Sequence, residues 1–361
     1  MLLGFRRLRP PSTEDAIRHG ITGVQLVKTL LLLFLILAIH TFAMIHFEKM
    51  SFGDAIWLTM TSATTVGYGD LSAKTFAGRT ATILLLYLGG IAILAQVVAM
   101  YFEYRSAIRE SILKGKWRWR MKNHIVFLNC PERIGEDFFY KAISGMRKSN
   151  SEFANLPVII VSEKFKDGIS DRLRKLNIVH VNRSISEDEA FQASSIYNAS
   201  AVVILSRDHQ DPLSDGTSFE LVDRLRQSGF LGRIIVESVR DENRQRMKRI
   251  GANNVLRPVR TYPEILIRTI LAPGSEAIIE TLFNSVGEEC IRFDLAIEMS
   301  WLDVIEKLAK NDVGIPIAYE DFSGNIHNNP SSKEIVRTCA LFIIISKTKN
   351  LSCKEIVKIL S

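Results

Sequence analysis

The chain has 361 residues, a formal net charge of +7 and 47% hydrophobic residues. That length predicts two or three domains. The four cysteines, Cys130, Cys290, Cys339 and Cys353, have no CxxC spacing, which argues against a zinc site and against a disulfide framework. The apolar runs lie before residue 105, and much of the basic excess sits beside them, as an orientation signal rather than a nucleic-acid surface.

Residues 1–23 read as a basic cytoplasmic segment with Arg6, Arg7, Arg9 and Arg18. Pro10-Pro11 breaks an early helix. Ser12 or Thr13 caps a predicted short amphipathic helix ahead of Gly20, because Glu14 and Asp15 follow. The first apolar run, Val24 to Phe47, starts too late and runs too long for a cleaved signal. It carries no Asp, Glu, Lys or Arg from Thr29 onward, and about 20 apolar residues cross a hydrocarbon core. Lys28 snorkels to the inner interface. His40 inside this run is either functional or neutral and hydrogen-bonded near the outer half. His46, Glu48 and Lys49 mark the outer surface. Phe52 to Ala63, with Trp57 in its middle, is too short to span. It reads as a re-entrant helix whose C-terminal partial charge favours a cation.

Thr64-Thr65-Val66-Gly67-Tyr68-Gly69-Asp70 follows. A K⁺ ion in a narrow pore exchanges its water for other oxygens, and rings of backbone carbonyls supply them. Aiming successive carbonyls one way needs dihedrals that glycine reaches without steric cost, and Gly67 and Gly69 alternate with side chains. Val66 and Tyr68 then pack away from the pore, and Thr65 adds a hydroxyl ring. Non-helical backbone at this depth is tolerated where it lines water or is buried in protein. Asp70 either concentrates cations at the mouth or holds the filter by a hydrogen bond to Trp57 or a neighbour. Thr65-Val66-Gly67-Tyr68-Gly69 matches, residue for residue, the selectivity filter of the potassium channel family, and the chain resembles that family. The resemblance implies K⁺ bound at Thr65, Val66, Gly67 and Tyr68.

The second span runs from about Arg79 to Tyr104, with Gly89-Gly90 near its middle. Each glycine weakens a helix by about 1 kcal/mol relative to alanine, so a bend is expected. The pair is either a hinge of the kind the family uses for gating or a small-residue helix contact. Ala95, Val97, Val98 and Tyr101 are candidates for an inner constriction. No further arginine-rich helix is expected, hence no voltage sensor, and two spans per chain imply four chains around one pore. Lys and Arg flank both spans on one side, with Arg105, Arg109, Lys114, Lys116, Arg118 and Arg120 after the second, so both termini are expected in the cytoplasm. Residues 105–123 form a charged linker whose Trp117 and Trp119 sit at the bilayer or dock on the next domain. Met121 is a candidate internal start.

From His124 onward short β-rich runs alternate with helical stretches, the signature of a doubly wound parallel sheet. Expected strands are His124–Leu128, Val158–Val161, Ile178–Val181, Ala201–Leu205, Arg233–Val236 and Asn254–Leu256, with helices such as Ile169–Leu176 and Phe219–Gln227. Ligands in such sheets bind beyond the strand C-terminal ends. The first turn, Asn129-Cys130-Pro131-Glu132-Arg133-Ile134-Gly135, lacks the first two glycines of a dinucleotide fingerprint, and only Gly135 lies near the third. Glu163 stands after the second strand, where an acid binds ribose hydroxyls. Its separation exceeds the usual ~20 residues because of a polar insertion near Lys148–Asn155. An adenine-nucleotide site at these residues and a purely structural fold both remain open.

The segment after the pore resembles the cytoplasmic domain that regulates K⁺ conductance (RCK, TrkA-N-like) in prokaryotic two-span channels. The carriers are Arg257-Pro258-Val259-Arg260-Thr261-Tyr262-Pro263-Glu264 and Ala272-Pro273-Gly274-Ser275-Glu276. The resemblance implies this division: pore domain 24–104, linker 105–123, Rossmann-like lobe 124–259, helical crossover 260–284 that pairs lobes, and α/β C-terminal lobe 285–361. In that lobe Cys290–Asp294, Gly314–Tyr319 and Cys339–Ser346 are expected strands. It also implies a gating ring of eight lobes and ligands that are NAD, ADP or ATP, Ca²⁺, or both kinds. Glu237 matches a calcium carboxylate of some relatives, but Val239 and Leu205 stand where they carry two more. Asp208 and Asp211, with Glu237, are a candidate divalent site, or their loop caps the next helix. No catalytic set is visible, so no enzyme activity is expected. The expected function is a ligand-gated K⁺ channel of the inner membrane. The alternatives are a non-selective or sodium channel on this scaffold, and a membrane-anchored nucleotide-binding protein or nicotinamide oxidoreductase.

Overall fold

The computed structural model describes residues 13–131, 135–149, 152–257, 267, 269–283, 288–346 and 351–360. The first helix, α1, runs unbroken from Thr13 to Glu48. The short separate helix expected ahead of Gly20 is therefore corrected: each interior glycine costs about 1 kcal/mol, and a 36-residue helix carries both Gly20 and Gly23. Its membrane-length part is Gly23–Glu48, 26 residues, or about 39 Å at 1.5 Å per residue. Helix α2 is Phe52–Ala63, the re-entrant segment read from sequence, and Ser51 Oγ caps it by accepting the Asp54 N–H.

The second span, Phe76–Leu113, changes its winding twice. Helix α3 (Phe76–Ala81) passes into a π-helical stretch, Thr82–Gly90, and then into α4 (Ile91–Leu113). The Ile91 N–H bonds the Leu86 carbonyl, five residues back. The expected bend at Gly89-Gly90 is thus a change of helix type. A Cβ on Gly90 would stand 3.2 Å from the Leu85 carbonyl oxygen, so the glycine makes room for the wide turn. The helix also continues past Tyr104, since Glu103, Arg105, Arg109 and Glu110 all favour helix. It stops at a left-handed Gly115 (φ 69°), where the N–H groups of Gly115 and Lys116 bond the carbonyls of Ile112 and Ser111. The spans meet along their length: Thr29 Oγ1 contacts Met100 Sδ at 3.7 Å, and Gly23 lies against Tyr104.

The chain folds as two compact units. The first holds both spans, the linker and the first four strands: β1 (Ile125–Leu128), β2 (Val158–Val161), β3 (Ile178–Val181) and β4 (Ala201–Ile204). With β5 (Arg233–Glu237) and β6 (Asn254–Leu256) they make a sheet of order β3-β2-β1-β4-β5-β6. The pairs β1–β2, β1–β4 and β2–β3 are parallel. All four residues of β2 are fully buried, as a strand covered on both faces requires. The strand order reverses at β1, so the crevice between the β1 and β4 exits is the switch point where such sheets take ligands. Expected Ile169–Leu176 shortens to one helical turn, Asp171–Arg174, and expected Phe219–Gln227 begins earlier, at Ser214.

Within this unit the linker is bonded to the sheet. Asn182 N–H donates to the Gly115 carbonyl at 2.8 Å, and Trp119 N–H to the Ala193 carbonyl at 2.8 Å. Trp119 Nε1 donates to the His180 carbonyl, Ser195 Oγ to the Trp119 carbonyl, and Arg118 pairs with Glu189 at 2.9 Å. Trp117 is buried. Both tryptophans therefore dock on protein.

The second unit includes the chain from Val236 onward. Its C-terminal part is an antiparallel sheet of order β7-β10-β8-β9: β7 (Glu288–Ser300), β8 (Ile315–Glu320), β9 (Ile326–Asn328) and β10 (Ile335–Ser346). The expected Cys290–Asp294 and Cys339–Ser346 lengthen into β7 and β10, the expected Gly314–Tyr319 shifts by one residue to β8, and β9 has no counterpart in the sequence reading. Helices Trp301–Lys310 and Cys353–Leu360 bring Trp301, Val304, Leu308, Ile356 and Leu360 into one core with Phe293, Leu341 and Ile343. Of the expected crossover 260–284, residues 260–266, 268 and 284 lie outside the described residues.

Candidate functional site

The loop after α2 has the backbone that its sequence demands. Thr65, Gly67 and Gly69 have φ of 60°, 52° and 79°, while Val66 and Tyr68 between them do not enter the left-handed region. Alternating hand along a strand turns successive carbonyls to the same side, which is what a carbonyl-lined path needs. Thr65 adopts without glycine a conformation that costs an L-residue about 1–2 kcal/mol, and sequence reasoning missed that. The helix end holds the loop from behind: Thr65 N–H bonds the Ser62 carbonyl, and the N–H groups of Val66 and Gly67 share the Thr61 carbonyl at 3.0 and 3.2 Å.

The flanks agree. Tyr68 stacks on Trp57, with ring centroids 5.7 Å apart and planes 3° from parallel. Trp57 Nε1 donates to Asp70 Oδ2 at 2.8 Å, the hydrogen bond that the holding role of Asp70 calls for. Glu48 at the end of α1 accepts the N–H groups of Lys74 and Thr75 and the Thr75 hydroxyl. Thr75 Oγ1 in turn caps α3 by accepting the Gly78 N–H. Val66, Tyr68, Ile83, Tyr87 and Leu88 are exposed in the single chain. His40 is buried between the hydroxyls of Thr59 and Thr82, the hydrogen-bonded option.

At the sheet, Asn129 follows β1 in a left-handed conformation (φ 78°), the position at which the fingerprint has its first glycine. Its amide bridges the switch point, with Nδ2 donating to the Leu205 carbonyl at 3.3 Å and Oδ1 accepting the Cys130 N–H at 2.9 Å. Cys130 and Pro131 are buried. Burial pushes the Cys130 thiol up, against the pull of Lys164, so it stays a protonated, poor nucleophile. Glu163 is exposed just past β2, the strand beside β1. Glu132 and Arg133 lie outside the described residues.

The acidic loop in the second unit is knitted by capping bonds. Asp208 accepts the Gln210 N–H, Asp211 the Leu213 N–H, and Glu237 pairs with His209 Nε2 at 3.0 Å. Among the described residues no three His, Cys, Asp or Glu side chains gather as a metal-ligand set. Asp215, the last acid of this loop, is buried and accepts from Val239 N (2.7 Å), Arg240 N (3.1 Å), Ser238 Oγ (3.2 Å) and Asn243 Nδ2 (2.7 Å). Four donors satisfy the buried anion and fix the exit of β5. A single acid in an acidic loop gives no signal of this.

Residues 29–106 match the family described as Ion channel. The chain is 28% identical over 233 residues to the calcium-gated potassium channel TvoK of Thermoplasma volcanium, covering 63% of this chain and 62% of that protein. It is 22% identical over 311 residues to the ion channel POLLUX of Lotus japonicus, covering 82% of this chain and 33% of that one. Among solved structures it is similar to the GsuK channel, with a TM-score of 0.48, 16% identity, and 96% and 60% of the two chains covered. The matched regions therefore span less than two thirds of these proteins' own lengths. The family match and the potassium channel relative bear out the resemblance read from Thr65–Gly69.

Proposed function

We propose that the chain is the subunit of a homotetrameric, K⁺-selective channel of the plasma membrane, gated by a ligand on its cytoplasmic domain. The observation that carries this reading is the alternation of left-handed residues at Thr65, Gly67 and Gly69. Four such loops around an axis make stacked carbonyl rings that replace the hydration shell of K⁺. The C-terminal end of α2 points partial negative charge at the loop it supports. Trp57, Tyr68 and Asp70 resist collapse or widening of the rings. Conduction down a gradient needs no catalytic group. The basic flanks of both spans support cytoplasmic termini.

Gating acts through the second span. The stop at Gly115 and the bonds from Asn182, Ala193 and His180 leave little slack between α4 and the sheet. A ligand that favours one arrangement of paired cytoplasmic domains shifts the population of open inner helices. A nucleotide at the β1 exit, with Glu163 on its ribose, is supported by the left-handed Asn129 and by Glu163 standing exposed on the neighbouring strand. A divalent cation near Asp208, Asp211 and Glu237 is the second ligand class; TvoK is described as calcium-gated, and metal there would have to displace His209 from Glu237.

Bilayer recording of purified protein in asymmetric KCl and NaCl tests both halves, with ADP, NAD⁺ and Ca²⁺ added in turn on the cytoplasmic side. Reversal near the K⁺ potential, with open probability changed by a nucleotide and the change lost in Glu163→Ala, is expected. A K⁺ current that answers Ca²⁺ alone moves the regulatory site to the acidic loop. Absence of selective current overturns the filter.

A further inference from the structure

His40 is fully buried in the membrane-length part of α1, and the hydroxyls of Thr59 and Thr82 lie against its two ring nitrogens. Its Nδ1 lies 2.8 Å from Thr59 Oγ1 on α2, and its Nε2 lies 3.0 Å from Thr82 Oγ1, the first residue of the π-helical stretch. Thr41, next on α1, donates to the same Thr59 oxygen at 3.1 Å. Both partners also reach carbonyls of their own turns, Thr59 to Ala55 at 2.7 Å and Thr82 to Gly78 at 2.9 Å.

The protons can be counted. A neutral imidazole has one N–H and one bare nitrogen, and each hydroxyl has one hydrogen to give. One threonine therefore accepts from the ring, while the other turns its hydrogen away from its own-turn carbonyl to the bare nitrogen. The ring thus bonds two elements at once, as an apolar side chain cannot. Thr59 lies two residues before Thr61, and the Thr61 carbonyl carries the N–H groups of Val66 and Gly67. A shift of α2 along or about its axis moves that carbonyl and the loop hung from it.

We propose that His40 is a positioning residue for the filter: by bonding Thr59 and Thr82 together it sets the depth and rotation of α2, and so where the carbonyls of Thr65–Gly69 aim. This rests on reading the chain as a K⁺ channel. The role is distinct from general packing, which the neighbours Met44, Ala55 and Leu58 supply.

K⁺ bound to ordered filters stabilises the assembled protein by mass action, so the full-length channel is melted in detergent across a K⁺ series, with Na⁺ keeping the ionic strength constant. His40→Leu removes both bonds and keeps an apolar side chain. The K⁺ concentration for half-maximal stabilisation is expected to rise about tenfold or more, as the loss of two buried hydrogen bonds implies. Thr82→Val, which leaves the Thr59 bond, is expected to fall between His40→Leu and wild type, and it serves if His40→Leu does not assemble. His40→Gln, which offers one donor and one acceptor from a planar group, is expected to restore the midpoint to within about twofold. A merely structural role lowers Tm equally at every K⁺ concentration and leaves the midpoint in place. That result in His40→Leu and Thr82→Val overturns the proposal. A wild-type melt indifferent to K⁺ overturns the channel reading beneath it instead.

Discussion

Gly67→Ala separates backbone conformation from crowding at the filter. A Cβ built on Gly67 meets nothing within 4 Å in the chain, yet φ is +52°. The penalty is therefore conformational, about 1–2 kcal/mol for an L-residue held left-handed. In the proposed tetramer four copies bear it together, about 4–8 kcal/mol in all, which is comparable to a whole domain's stability of about 5–15 kcal/mol. At 1.4 kcal/mol per factor of ten, the ordered filter loses about three to six orders of magnitude in population. Gly145→Ala is the control: its Cβ also meets nothing within 4 Å, but the residue lies inside the helix Glu136–Lys148 and has no positive φ. The assay is the K⁺/Na⁺ permeability ratio from reversal potentials, with tetramer survival in detergent alongside. Gly67→Ala is expected to lose selective current and Gly145→Ala to keep it. Wild-type discrimination in Gly67→Ala would refute the argument from left-handed residues.

Trp57→Phe keeps an aromatic ring against Tyr68 but removes the Nε1 donor to Asp70; a bond to a charged acceptor contributes about 1.5–3 kcal/mol, so shorter conducting bursts at unchanged ligand response are expected in single-channel records. Gly115→Ala would place a Cβ 2.8 Å from the Asn182 nitrogen at a φ of +69°, detaching the end of α4 from the sheet; ligand response should fall while K⁺/Na⁺ selectivity stays as in wild type. In the C-terminal lobe, the His327 ring, the Asn325 backbone and side-chain N–H groups and the Ser323 N–H hold the Asp321 carboxyl well below the usual carboxylate range. Its folded-state pKa lies under its unfolded one, so this stabilisation is full above about pH 4 and fades as pH falls further. Hydrogen exchange followed from pH 5 down to pH 2 should show protection of the β8–β9 hairpin beginning to fall below about pH 4 in wild type, with a flatter pH dependence in Asp321→Asn.

Much of the pore was legible because its signals are local. Ser51 before an apolar run and Thr64 after it bound α2 at the residues the sequence suggested, and Gly67 and Gly69 announced their own dihedrals. Thr65 did not, because the bonds that hold it left-handed come from the end of α2, not from its own side chain. The parallel strands were readable as short buried runs, whereas the β8–β9 hairpin was not: Ile326–Asn328 is exposed, and an edge strand with no buried face leaves no alternation to read. Gly20 and Gly89-Gly90 looked like interruptions. One is absorbed by a long helix and the other pair marks a change of winding, and local propensity cannot tell these apart. Asn129, Asp215 and His40 owe their roles to partners 19 to 76 positions away, a separation that a single sequence does not encode.

The π-helical stretch has a consequence for the proposed lumen. Between Thr82 and Gly90 each turn takes up more residues than an α-turn, so the angular phase established by α3 is lost before α4 begins. A helical wheel drawn through the whole span assigns Ala95, Val97, Val98 and Tyr101 to the wrong azimuth. Cysteine scanning with a water-borne thiol reagent would register two periodic patterns, one before Thr82 and one after Gly90, displaced from each other. One residue deleted within Thr82–Gly90 would tend to close the wide turn and swing everything C-terminal to it by about 100°, the angle of one α-helical residue, presenting a different column of side chains to the proposed ion path.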